Sequence, residues 1–201
     1  TGGGGAAEAA VIREAREVIE AGKPRMLNFK LHENPQLDLG MVCGGTLDIF
    51  IEPIVPNPAV YIFGAGHVGL VTAQIARIAG FAVEVIDDRP EFANQERFPG
   101  ARAIHVGSWE ESFAALTLDS SSFVFIVTRG HALDGKVLRW AVETPASYIG
   151  MIGSKRKVAT TAEHLKADGV SEQQLRRVHA PVGLDIGADN PEEIAVAVVA
   201  E

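Results

Sequence analysis

The chain has 201 residues, 47% hydrophobic and 22% charged, with a net charge of −8. That is the composition of a soluble globular protein able to bury a core without covalent staples, and its acidic balance argues against general nucleic-acid binding while still allowing a local anion site built from backbone N–H groups. No run of about 18 apolar residues suggests a membrane span, and the single cysteine, Cys43, rules out an intrachain disulfide and fits a cytoplasmic location.

Gly2–Gly5 carries no periodicity, and the chain opens on Thr1 with neither a Met nor a signal peptide, so residues are expected to be missing upstream. Glu8–Ala21 reads as a helix, with Val11, Ile12, Ala15, Val18 and Ile19 on one face and Gly22 and Pro24 ending it. Met26–Leu31 reads as a strand, and Asn34, Pro35 and Gly40 mark a turn. Thr46–Glu52 sets Leu47, Ile49 and Ile51 against Thr46 and Asp48, the alternation of a half-buried strand. Before it lies Met41-Val-Cys43-Gly44-Gly45. The glycines could leave the Cys43 sulfur accessible beside N–H donors that lower its pKa, or Cys43 is an inert buried residue.

Pro53, Pro56 and Pro58 make the best linker in the chain, since proline cannot donate to a ladder and stiffens the backbone. The predicted organisation is an incomplete α+β piece over 1–54, a linker over 55–58 and a larger domain over 59–201. In the latter, strands are predicted at Ala59–Phe63, Ala82–Ile86, Ala103–Val106, Phe123–Val127 and Ser147–Ile149. Helices are predicted at Val68–Ala79, Trp109–Leu116, Leu133–Val142, Lys155–Asp168 and Glu172–Arg177. A last helix spans Pro191–Ala200, with Asn190 as N-cap. Strands alternating with helices imply an α/β fold, a Rossmann-like parallel sheet with helices on both faces.

Four motifs carry candidate chemistry. Gly64-Ala-Gly66-His67-Val-Gly69 follows a strand and opens a helix, the context in which G-x-G-x-x-G holds a phosphate. Asp87, 23 positions after Gly64 at the end of the next strand, stands where a carboxylate meets a ribose hydroxyl. Asp88 and Arg89 follow it; Arg89 could offset a 2′-phosphate, leaving NAD and NADP both open. His67 could donate to a phosphate or simply be an exposed helix residue. Thr128-Arg129-Gly130-His131, with Asp134, ends the fourth strand and faces the same crevice. Its spacing is no known metal signature, and no metal site is expected; Asp134 alternatively caps the next helix. Gly150-Met-Ile-Gly153-Ser154-Lys155-Arg156-Lys157 joins another strand to a helix without the spacing of a P-loop. Gly153 and Ser154 could present N–H groups to an anion, with Lys155 and Arg156 beside them, or the segment is a solvated basic turn. Val178–Gly187 reads as a loop, with His179 and Asp185 as polar candidates.

Taken together, these motifs resemble those of the XdhC/CoxI family, the xanthine dehydrogenase accessory factors. The resemblance rests on Val60-Tyr-Ile-Phe-Gly-Ala-Gly-His-Val-Gly69, Val85-Ile-Asp-Asp-Arg89, Thr128-Arg-Gly-His131 with Asp134, Tyr148-Ile-Gly-Met-Ile-Gly-Ser-Lys-Arg156, His179-Ala-Pro-Val-Gly-Leu-Asp-Ile-Gly187 and Met41-Val-Cys-Gly-Gly45. It spans nearly the whole chain. Two departures stand out: the family's Gly-Ser-x-Pro-Arg-like segment does not precede Gly2, and Arg129 stands where many relatives carry His.

The resemblance implies a cofactor-binding chaperone more than a turnover enzyme. Such a factor binds the molybdenum cofactor (molybdopterin), assists its sulfuration with a cysteine desulfurase, and inserts it into an apo-molybdenum hydroxylase of the xanthine dehydrogenase type. Cys43 is then a candidate sulfur relay or molybdenum contact, and a homodimer is one option for the apolar surface of an incomplete N-terminal piece. The alternatives are an NAD(P)-binding oxidoreductase, with His131 or His179 as acid/base, or a nucleotide-sensing Rossmann domain.

Overall fold

The computed structural model describes residues 6–30, 46–54 and 57–201. The chain divides into two compact units between Pro56 and Asn57.

In the first unit, α1 (Ala6–Ala21) is followed by β1 (Arg25–Lys30), which pairs antiparallel with β2 (Thr46–Ile51), Met26 opposite Phe50. Gly22 ends the helix at φ 62°, donating its N–H to the Val18 carbonyl, a left-handed turn that suits glycine. Arg25 reaches back to Glu14 at 2.5 Å and Glu17 at 2.9 Å. The half-buried alternation expected of β2 is only partial: Ile49 and Ile51 are half-buried, while Leu47 is exposed with Phe50. Cys43, with the whole Met41–Gly45 motif, lies outside the described residues.

The second unit is a six-stranded parallel sheet. Its strands are β3 (Ala59–Phe63), β4 (Ala82–Asp87), β5 (Ala103–Val106), β6 (Ser122–Ile126), β7 (Tyr148–Met151) and β8 (Val178–His179), in the order β5-β4-β3-β6-β7-β8. Between them run α2 (His67–Ile78), α3 (Trp109–Ala115), α4 (His131–Ala141), α5 (Lys155–Ala167) and α6 (Glu172–Leu175), and α7 (Pro191–Ala200) closes the unit. From the first strand, β3, the chain builds outward one way through β4 and β5, then returns to lay β6, β7 and β8 on the other side. That is the 3-2-1-4-5-6 order of a doubly wound dinucleotide fold, and it opens a crevice where the order reverses, between β3 and β6.

Alternate residues of the strands feed opposite faces, and both faces are covered. Phe63, Val124, Ile126 and Met151 pack with Trp109 of α3, Val137 and Leu138 of α4 and Leu165 of α5. Val60, Ile62, Val85 and Phe125 pack with Ala73 and Ala76 of α2 and Val198 of α7. This double burial is why the strands read as continuous apolar runs. Each fully buried large side chain contributes about 1.5–3 kcal/mol. Phe63 sits at the centre of one face, with ring centroids 5.4 Å from Trp140 and 6.2 Å from Trp109.

The expected loop at 178–187 is corrected at its start, where Val178 and His179 pair with Ile149 and Gly150 as a sixth strand. Arg177 fixes that segment by donating to the carbonyls of Val142, Thr144 and Ala146, at 3.1, 3.1 and 2.6 Å. Two residues of strand carry no periodicity, so nothing local marks them.

Candidate functional site

The glycine loop Gly64–Gly69 crosses the carboxyl end of β3, at the reversal point. Its three glycines answer different demands. Gly64 has φ 124°, and a Cβ there would lie 2.3 Å from the Val127 carbonyl oxygen at the end of β6. A Cβ at Gly69 would lie 2.0 Å from the Gly64 carbonyl oxygen. Both are therefore required by the protein's own backbone packing. Gly66 is not: its φ is −71°, and a Cβ built on it meets nothing within 4 Å. The space beside Gly66 is open crevice, which is where a phosphate approaches this loop.

Helix capping points to the same place. In residues 57–201, α3, α5, α6 and α7 each have an N-cap side chain that accepts a first-turn N–H, from Ser108, Ser154, Ser171 and Asn190. The two helices without one are α2, capped by Gly66, and α4, capped by Gly130. These follow β3 and β6, the two strands that flank the crevice. Uncapped first-turn N–H groups and the positive end of the helix dipole favour an anion.

Asp87 ends β4 and is 2% exposed. Its expected ribose contact finds the carboxylate already occupied. Oδ2 accepts the Ala65 N–H at 2.8 Å and Arg89 Nη2 at 2.9 Å; Oδ1 accepts Arg89 Nε at 2.8 Å and the Arg89 N–H at 3.1 Å. A carboxylate has about four acceptor positions, so Asp87 acts within the protein, tying the glycine loop to the end of β4. Burial alone would raise its pKa; the Arg89 fork and the backbone donors outweigh burial and hold it below the ordinary carboxylate range. Asp88 is half-buried and accepts from Arg129 Nη2 at 2.7 Å, a contact from the end of β6 to the end of β4.

Thr128, Asp134 and Lys157 form a second internal tie. Asp134 lies in the first turn of α4, fully buried, but it does not cap that helix. It accepts the Thr128 N–H at 3.1 Å, the Thr128 Oγ1 hydroxyl at 2.6 Å and Lys157 Nζ at 2.6 Å. The loop after β6 is thereby fixed to the first turn of α5.

The remaining candidates separate. His67 opens α2 and is exposed beside the crevice. His131, Ser154 and Arg156 line a cavity of about 750 Å³ between α4 and α5, with Gly135, Thr160 and Thr161 among its other walls. Ser154 Oγ is used as a cap, accepting the Lys157 N–H at 3.3 Å, and Lys155 and Arg156 are exposed on the first turn. Gly153 takes φ 158° just before that cap. His179 is not brought to the crevice: its ring lies 4.4 Å from that of Tyr148 and its Nδ1 3.6 Å from the Glu201 carboxylate. Sequence reasoning missed the Asp134–Lys157 pair and the Arg129–Asp88 contact. The first had a signal, because residue 134 falls on the apolar stripe of α4 with Val137, Leu138 and Ala141. The second is long-range and had none.

Residues 60–201 match the model of the XdhC Rossmann domain. The chain is similar to the YqeB protein of Escherichia coli strain K12, at 36% identity over 200 residues, 99% of this chain and 37% of that protein. It is 31% identical over 156 residues to a Bacillus subtilis strain 168 protein described as a probable subunit of xanthine dehydrogenase, covering 78% of this chain and 45% of that one. The chain thus spans less than half the length of either curated relative. A crystal structure described as a xanthine dehydrogenase from Bacillus halodurans aligns with a TM-score of 0.62 at 22% identity, over 98% of this chain and 79% of that one. At that identity the likeness is one of fold.

Proposed function

Because the chain belongs to the XdhC family by its Rossmann domain, we propose that it is an accessory factor that binds the molybdenum cofactor. It would assist the cofactor's sulfuration, with a cysteine desulfurase as sulfur source, and its insertion into an apo-molybdenum hydroxylase of the xanthine dehydrogenase type. The observation that carries the reading is the crevice between β3 and β6. There the one glycine of the loop that packing does not require, Gly66, faces open space, and the only two helices of residues 57–201 without a capping side chain begin. These features fit a phosphate-bearing cofactor.

In this reading the first-turn N–H groups of α2 would hold the cofactor's phosphate, with those of α4 across the crevice from them. The cofactor itself would supply the molybdenum at which oxo and sulfido ligands exchange. The chain's own residues bind and orient it. Asp87 keeps the glycine loop in register with β4, and Asp134 keeps the Thr128–His131 loop in register with α5. Cys43 as sulfur relay rests on the family resemblance alone. A dinucleotide of the NAD(P) type is the second reading, favoured by the strand order, whose crevice accepts such ligands in other doubly wound sheets.

Gly66→Val tests the site. The variant should still fold, since a Cβ at this position meets no protein atom, and should lose binding of the molybdenum cofactor. Equilibrium titration of the wild type should show tighter binding of the cofactor than of NAD(H). A folded variant that binds as tightly as wild type places the site elsewhere. Tight NAD(H) binding with hydride transfer to an added substrate selects the second reading.

A further inference from the structure

The crevice is crossed by charged side chains in an arrangement that a plain ribose site does not need. At the end of β4, Asp87 has its acceptor positions filled by Arg89 and the glycine loop. Arg89 is held from a second side as well, its guanidinium carbon 3.9 Å from the centre of the Phe92 ring. The group offered outward at this position is therefore a fixed guanidinium instead of a carboxylate. Among the described residues, Arg89 Nη1 has no acceptor.

Asp88 lies between this guanidinium and a second one. Its Oδ1 is 3.9 Å from Arg89 Nε, and its Oδ2 accepts from Arg129 Nη2 at 2.7 Å. Arg129 comes from the loop after β6, so the Asp88 carboxylate is hydrogen-bonded to an arginine from one side of the reversal point and lies close to, without a hydrogen bond to, an arginine from the other. The side chains of Asp88 and Arg129 are 27% and 49% exposed, so solvent reaches this bridge while Asp87 stays sealed beneath it. A carboxylate lying between two guanidiniums occupies the place of an anion, and a phosphate offers more oxygens and more charge to the Arg129 guanidinium and to Arg89 Nη1, the Arg89 nitrogen that Asp87 leaves unengaged.

We propose that Arg89 and Arg129 form a phosphomonoester subsite in which Asp88 is the internal placeholder, displaced when a ligand carries a second phosphate separate from the one on the glycine loop. The ligand class is a doubly phosphorylated nucleotide or a compound with the same two separated anionic groups. Two consequences distinguish this from a ribose-diol site. Affinity depends on the second phosphate, and Asp88 opposes binding where a ribose-binding carboxylate would support it.

The proposal rests on the crevice being the phosphate site and not on the identity of the molybdenum cofactor, so its probes are NADP⁺ and NAD⁺, which differ by one phosphomonoester. Titration of the full chain at low salt should show NADP⁺ bound more tightly than NAD⁺, by about tenfold or more for a charge-assisted contact. Asp88→Asn should tighten NADP⁺ severalfold and leave NAD⁺ unchanged. Arg129→Ala should bring NADP⁺ down to the level of NAD⁺, and the wild-type preference should shrink as salt rises. Both positions are at the surface of the bridge, and circular dichroism confirms that each variant is folded. Equal affinity for the two dinucleotides, absence of binding by either, or weakened binding of both in Asp88→Asn overturns the proposal. Gly66→Val, which tests the glycine loop itself, separates that failure from a failure of the site as a whole.

Discussion

Lys155, Arg156 and Lys157 are consecutive cations, yet only the third is held inside. Lys157 Nζ lies 2.6 Å from the fully buried Asp134, while Lys155 and Arg156 are exposed at the start of α5. Removing one partner of a buried pair leaves an uncompensated charge, which costs far more than a surface contact. Lys157→Met should therefore destabilise the protein by about 3 kcal/mol, read from urea unfolding, whereas Lys155→Ala with Arg156→Ala should change it little or raise it, because cations in a first turn oppose the helix dipole. Equal effects of the two changes would mean that Asp134 does not depend on Lys157. The sequence shows three adjacent cations and no way to rank them. Asp134 was the readable member of the pair, an acid on the apolar stripe of α4 that had to find a partner. Which partner it found is set by how α4 and α5 lie side by side.

At the scale of elements, the glycine loop and the end of β4 act as one piece through Asp87, and that coupling has a pH signature. The Asp87 pKa is lowered in the fold, because Arg89 and the Ala65 and Arg89 N–H groups outweigh the effect of burial. A carboxylate with a lowered folded pKa contributes its stability in full above its unfolded value, about 4, and loses it as pH falls through the folded value. The thermal midpoint should therefore drop as the protein is acidified below about pH 4, and Asp87→Asn should be less stable than wild type at neutral pH, with the gap narrowing toward low pH. A gap that stays constant from pH 7 to the acid limit would assign the loss to something other than ionisation. The long elements were legible: β3, β4 and β6 as strands, α7 with Asn190 and Pro191 at its start. The short strand β8 was not, since its position is set by Arg177 reaching three distant carbonyls.

At the scale of the whole molecule, among the described residues the two hydrophobic clusters of the sheet are built from Ala59 to Val199. A fragment of residues 57–201 should therefore fold by itself and unfold cooperatively, with a thermal midpoint within a few degrees of that of the longer chain. A fragment that lacks a cooperative transition by calorimetry would show that the first unit completes its core. The sequence by itself determined the class of this fold, because strand and helix periods, turn glycines and double-sided apolar strands are local patterns that one core can satisfy in few ways. It also marked the glycine loop, since a strand, three spaced glycines and a helix are contiguous. Only the tertiary structure decided what each polar residue does there. Asp87, expected as a ribose contact, has its carboxylate engaged by Arg89 and the glycine loop, Asp88 and Arg129 meet across 41 positions of chain, and Gly66 differs from Gly64 and Gly69 in what a Cβ would strike. Those roles depend on distances between strand ends that are adjacent in the sheet and remote in the chain, and spacing along a sequence carries no measure of them.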